Sequence, residues 1–161
     1  MKPPVIVRRE AFLVMGTVTR RNPGTDRPET FVTAWKEFEI HLERVQCLSA
    51  DRKYYGVSFA ADAAGSFDYL TGMAVRSAAD TPEGLEVRVV PAATYAVFAC
   101  PVASIGQTYG YVFGPWRAES GCVPDVTAPA FEEYPPATET NAPVLLHIPI
   151  RGDHACARTS Y

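Results

Sequence analysis

This sequence has few features that would mark an ordinary metalloprotein, membrane protein or nucleotide enzyme. Its four cysteines, Cys47, Cys100, Cys122 and Cys156, stand far apart, so no CxxC pair offers zinc or dithiol chemistry. His41, His147 and His154 keep no metal-ligand spacing with them, and no metal is expected. Cysteines so dispersed are expected to be reduced thiols. The opening MKPPVIVRRE has no apolar leader, and the two features together point to the cytoplasm. No run of 18 apolar residues occurs, which excludes a helical membrane span. Basic residues number 15 against 18 acidic ones, a net charge of -3. Arg8-Arg9 and Arg20-Arg21 are isolated pairs, so direct nucleic-acid binding is not expected. P-loop, dinucleotide fingerprint, nucleophile elbow and HExxH motif are all missing, and no cofactor is implied.

What remains is the composition of a soluble globular chain, 47% apolar and 20% charged, with an aromatic content of 11%. Its 161 residues suit one domain or two small halves sharing a core. Residues 11–20, AFLVMGTVTR, are β-branched and apolar and read as a buried strand. RRNPGTDRPE follows as a loop. Phe31, Ala34, Trp35, Phe38, Leu42 and Val45 then keep the spacing of one helix face, which predicts a helix over about 30–46. Strands are expected at 53–59 and 67–75.

The second half repeats the order. Residues 94–100, TYAVFAC, read as a strand. Val102, Ile105, Tyr109, Val112, Phe113 and Trp116 keep helical spacing. Ser104 and Gln107 have the spacing of a capping box. Gly106, Gly110 and Pro115 predict a short helix ending before Trp116. Strands follow at 130–134 and 144–150, and 152–161 is expected to fray as a tail. Two βαββ halves, about 10–76 and 93–151, predict an α+β fold with pseudo-twofold symmetry and a largely antiparallel sheet, one domain over 1–151. Such a duplication leaves a cleft at the junction of its halves, a favoured place for a ligand.

Glu132 sits between Phe131 and Tyr134 in a short apolar stretch. A carboxylate among aromatic faces suits an organic cation, because each ring face attracts positive charge and the acid supplies the counter-charge. The same group would serve as a general acid or base if burial raised its pKa. Glu133 should point to the other side of the strand. Trp35 and Trp116 read equally as core fillers, and His147 as a core or rim histidine in VLLHIPI.

The order of several short motifs resembles the GyrI-like small-molecule-binding domains, the effector-binding fold attached to some AraC- and MerR-type regulators. The carriers are the helix with Trp35 and Phe38, Tyr55-Gly56-Val57, Phe67-Asp68-Tyr69, the stretch from Pro91 to Phe98, Trp116 with Glu119-Ser120-Gly121, and Pro129 to Tyr134. The closing Ile148-Pro149-Ile150 completes the set. They span about 5–150. The resemblance implies a ligand cleft with Glu132 as its acid. Its walls would be Trp35, Phe38, Tyr55, Tyr109, Phe113 and Trp116, with His147 as a further contact near the last strand.

The implied role is a stand-alone binding protein for hydrophobic aromatic small molecules, cationic ones included, in drug sequestration or sensing. No DNA-binding segment is visible before the domain. Where some relatives carry a second acid and an aromatic in the last strand, Leu145 and His147 stand here. That difference favours neutral or singly charged ligands over dications. Two alternatives follow from the same resemblance. One is a hydrolase opening cyclopropane-containing toxins with Glu132 as acid/base. The other is a gyrase-inhibitor-like interaction with a protein partner.

Overall fold

The computed structural model describes residues 2–139 and 141–152. Cys156, His154 and most of the expected tail lie outside the described residues. Eight strands alternate with short helices, in the order β1 (Val5–Arg9), β2 (Phe12–Arg21), α1 (Pro28–Glu39), α2 (Leu42–Gln46), β3 (Ser49–Ser58), β4 (Phe67–Val75), β5 (Glu86–Val90) and β6 (Ala93–Cys100). A single 3-10 turn, Val102–Ser104, then leads into α3 (Ile105–Tyr111), a π-helical segment (Val112–Trp116) and α4 (Arg117–Ser120). β7 (Ala130–Tyr134) and β8 (Val144–Ile150) close the chain. The class is α+β, and the strands of both βαββ halves are where the β-branched runs place them.

All strands join one antiparallel sheet in the order β1-β6-β8-β7-β3-β4-β2-β5. The halves meet at the β7–β3 pair. The outer strands were not expected. β1 pairs with β6 of the second half, and β5 pairs with β2 of the first. Arg9 ends β1 and Phe12 begins β2, so Glu10 and Ala11 alone link strands from opposite edges of the sheet. Pro91 and Ala92 link β5 to β6 in the same way. A two-residue link spans roughly 11 Å at most, so the sheet must curl until its edges approach at this corner.

Curling encloses one face. Val14, Tyr55, Val57, Leu70, Tyr95 and Phe131 form a core there without any helix. The outer face carries two separate clusters. Under α1 and α2, Phe38 and Val45 pack on Met15, Met73 and Val75. Under α3 and the π segment, Val112 and Trp116 pack on Ala96, Phe98, Leu146 and Ile148. Between the two clusters the β3–β7 junction forms the floor of a groove.

Three local expectations change. The long first helix breaks at Ile40 and His41 into α1 and α2. Ser104 makes no side-chain cap, so the capping box is not formed. The second helix does not end before Trp116. Pro115 is absorbed by the π segment, with Gly114 at φ -107°, ψ -105°, and the helix resumes through Ser120 to Gly121 in the left-handed conformation. Cys47 and Cys100 are free thiols, but Cys122 is disulfide-bonded, against the expectation of reduced cysteines. No helix among the described residues is long and apolar enough to cross a membrane.

Candidate functional site

β-strand parity decides which side chains meet in the groove. Gly56 on β3 lies opposite Glu132 on β7 and opposite Thr71 on β4, and Ser58 lies opposite Tyr69. Glu132, Gly56 and Tyr69 therefore share the helix-bearing face. Tyr69 reaches across β3 and donates its hydroxyl to Oε2 of Glu132 at 2.9 Å. Tyr109, descending from α3, donates to Oε1 at 2.7 Å. The crossing is possible because residue 56 has no side chain. A Cβ there would lie 2.2 Å from the Tyr69 hydroxyl and 2.3 Å from Glu132 Oε2. Thr71, also buried, donates its hydroxyl to the Ala34 carbonyl at 3.2 Å and so ties α1 to the sheet beside the site.

Glu132 is 6% exposed. Burial pushes its pKa upward, and the bonds from Tyr109 and Tyr69 offset part of that rise. The phenols move the same way. Burial, reinforced by the neighbouring carboxylate, holds Tyr69 and Tyr109 well above the usual tyrosine range, so both remain donors. Among the described residues no cationic side chain pairs with Glu132.

A cavity of about 430 Å³ opens beside this carboxylate. Its walls include Phe31 of α1, Phe59 and Phe67 at the strand ends, and Tyr109 and Phe113 of the second helical region. Tyr109 and Phe113 stack with planes 4° apart. Phe31 meets Tyr69 edge-on at 5.0 Å, and its face carries the guanidinium of buried Arg21 at 4.0 Å. Asp125 stands at the cavity wall, held below the usual carboxylate range by the hydroxyl and amide of Thr127. No Lys or Arg is among the described residues that line the cavity. A larger cavity of about 530 Å³ lies elsewhere, against Glu43, Cys47 and Arg52, with Tyr54 its sole ring.

The expected site residues are thus divided. Glu132, Tyr109 and Phe113 converge on the aromatic cavity. Trp35 and Phe38 line a neighbouring cavity with Tyr134. Trp116 lies in the core, edge-on to Phe98 at 5.1 Å. Tyr55 is turned to the enclosed face, where its hydroxyl donates to Asp51 at 2.6 Å. One residue of register separates it from the groove, and Gly56 holds that place.

His147 is also on the enclosed face, stacked on Phe131 with centroids 4.2 Å apart. Its Nε2 lies 3.2 Å from Oε2 of Glu133, an ion-pair distance without hydrogen-bond alignment. Arg9 and Lys53 each approach the same carboxylate at 2.5 Å. Burial pushes Glu133 up, but His147, Lys53 and Arg9 outweigh it and hold it well below the usual range. Burial pushes His147 down, so it is a neutral neighbour at neutral pH. Tyr69, Phe31, Phe59 and Phe67 were not expected as site residues. Parity would have marked Tyr69, since it shares its face with Gly56 and Glu132.

No group of histidine, cysteine, aspartate and glutamate among the described residues could hold a metal ion. Residues 5–150 match the family described as Cass2, integron-associated effector binding protein. No curated protein matches the sequence. Among solved structures, the protein SAV2435, bound to tetraphenylphosphonium, shares the fold at TM-score 0.77 with 13% identity, covering 94% of this chain and 95% of that one. The integron cassette protein from the mobile metagenome of Vibrio cholerae gives 0.69 with 20% identity, covering 93% and 97%. The C-terminal domain of EcmrR gives 0.63 with 13% identity, covering 91% and 95%. At these identities the likeness is one of fold.

Proposed function

The chain belongs to the integron-associated effector binding protein family, and from that premise we propose that it binds hydrophobic aromatic small molecules, with lipophilic monocations preferred. One observation carries the reading. Glu132 is a buried carboxylate with two phenol donors and no counter-cation among the described residues, facing a cavity walled by aromatic rings. Burial without a cation makes the charged form of this acid costly, which is the direction in which its pKa moves. A ligand cation relieves that cost, and the rings add attraction of ~0.5–2 kcal/mol each where the cation lies over a desolvated face. Apolar burial supplies the remaining affinity, at roughly 25 cal/mol per Å². The tetraphenylphosphonium bound by the structural neighbour SAV2435 is a compound of this class.

The test is calorimetric titration with tetraphenylphosphonium and with neutral triphenylphosphine oxide, on the native chain and on Glu132→Gln. The cation is expected to bind saturably and to weaken about tenfold or more in the variant, as loss of a buried charge contact predicts. The neutral compound should bind both proteins alike. Absence of saturable binding by either compound overturns the proposal.

A further inference from the structure

A second cavity of about 380 Å³ lies on the same face of the sheet. Trp35, Phe38, Leu42, Tyr54, Val102 and Tyr134 line it, with Glu39 adding a carboxylate at its wall. It shares no lining residue with the cavity at Glu132. Yet both follow one floor. Along β7, Ala130 and Glu132 line the first cavity and Tyr134 the second. Along β3, Ser58 lines the first and Tyr54 the second, with Gly56 bare between them. Along α1, Phe31 serves the first and Trp35 and Phe38 the second.

The floor passes Gly56, where Tyr69 and Tyr109 converge on Glu132. The two phenols therefore meet over the stretch of floor that lies between the cavities. Tyr69 is fixed on a central strand. Tyr109 is carried by a yielding element. At Gly106, Gly110 and Gly114 a Cβ would meet nothing within 4 Å. Gly106 and Gly110, inside α3, each cost about 1 kcal/mol of helix stability relative to alanine. The π segment after Tyr109 contains the non-helical Gly114 and Pro115, and single π turns recur at sites that must adjust. Within α3 Thr108 is fully buried, whereas Tyr109 is half-buried, with its hydroxyl end enclosed at Glu132.

We propose that the two cavities are lobes of one ligand site, joined when a ligand cation displaces the Tyr109 hydroxyl from Glu132. The site then takes an elongated monocation with an aromatic group on each side of its charge. The charge rests at Glu132, one ring lies among Phe31, Phe67 and Phe113, and the other enters beside Trp35 and Tyr134. This rests on the proposed role of Glu132, and the test separates the two.

The probes are benzyltrimethylammonium, with one ring, and dibenzyldimethylammonium, with a ring on either side of the nitrogen. Calorimetry is run on the native chain, on Val102→Trp and on Glu132→Gln. Val102 is 65% exposed, so a larger side chain there narrows the second lobe without entering the core. The two-ring probe is expected to bind about tenfold tighter than the one-ring probe, the order of gain from burying one more ring. Val102→Trp should erase that advantage by weakening the two-ring probe. Glu132→Gln should weaken both. Glu132-dependent binding of both probes with equal affinity overturns the two-lobed site alone, and so does an advantage that survives Val102→Trp. Binding of neither probe, or binding indifferent to Glu132→Gln, overturns this inference together with the reading beneath it.

Discussion

Glu132 and Glu133 are neighbours on one strand, face opposite sides of the sheet, and have their pKa values displaced in opposite directions. Both are buried. The difference is the company. Glu132 has two neutral phenols, and burial prevails. Glu133 has Arg9 and Lys53 with His147 alongside, and these prevail over burial. One carboxylate is held poised for a partner, and the other is already paired.

Replacing Glu132 should stabilise the empty protein. A carboxyl whose pKa rises on folding favours the folded state below its ordinary value of 4.5 and loses that contribution as pH rises through the folded value. Above that range, Glu132→Gln removes a buried charge. The melting temperature of the variant should exceed that of the native chain at pH 7 by about 3 °C, the scale on which ~1 kcal/mol registers in a domain of this size. The gap should close below pH 4.5. Thermal scans across pH measure it, and a variant that melts lower at pH 7 contradicts the electrostatics described for Glu132.

Replacing Glu133 should do the reverse. Glu133→Gln leaves Arg9 and Lys53 without their carboxylate, at a cost of ~2 kcal/mol, moderated because both cations are partly exposed. A lowered carboxyl pKa stabilises above the ordinary value of 4.5 and loses that contribution as pH falls through it. His147 acts in the same sense from below its ordinary 6.5, because the folded state resists its protonation. Denaturant titrations should show native stability declining from about pH 6.5 downward, with the further decline below pH 4.5 weaker in Glu133→Gln.

Three glycines separate site from scaffold. At Gly56 an added Cβ meets the ends of two side chains, Tyr69 and Glu132, rather than main chain. Gly56→Ala should therefore fold with a modest loss of stability while losing tenfold or more in affinity for a lipophilic cation, as displaced site geometry implies. At the cross-strand pair Gly16 and Gly72 the added atom would lie 1.9 Å from the Thr71 carbonyl oxygen and 2.1 Å from that of Met15. Neither backbone can yield. Gly72→Ala should cost more than ~3 kcal/mol, as overpacking against main chain does. Denaturation midpoints and titrations on the same samples distinguish the classes.

Removing the Tyr109 hydroxyl should raise the pKa of Glu132 further, because that bond is among the influences lowering it. Carbon-13 NMR of the labelled glutamate carboxyl in Tyr109→Phe reads the shift. An unchanged titration would mean that the phenol contributes nothing to the charge state of the acid.

The strands of the halves were legible because alternating and β-branched runs survive in the letters. β4, β7 and β8 fall at the expected residues. β1 and β5 were not identified, since an edge strand five residues long leaves a weak pattern and its partner belongs to the other half. Glu132, Tyr109 and Phe113 could be named from local composition and resemblance. Tyr55 was assigned to the groove by the resemblance, whereas parity with Gly56 turns it away. His147 sits on the face opposite the groove for the same reason, as the register pairs it with Phe131. Trp116 needed knowledge of the π segment, which rotates its ring into the core. A π turn at Gly114-Pro115 looks from sequence like a helix stop.

The crossed links at residues 10–11 and 91–92 have a mechanical consequence. Each half lends its outer strand to the other, so the halves are laced together rather than laid side by side. A binding groove between two independent lobes can open like a jaw. This one is held on two sides, because parting β3 from β7 breaks a five-residue ladder in the middle of the sheet, while the two-residue links keep the outer strands of the halves close together. Accommodation of guests of different size therefore falls to the helical roof, and the floor that carries Glu132 stays a fixed plate.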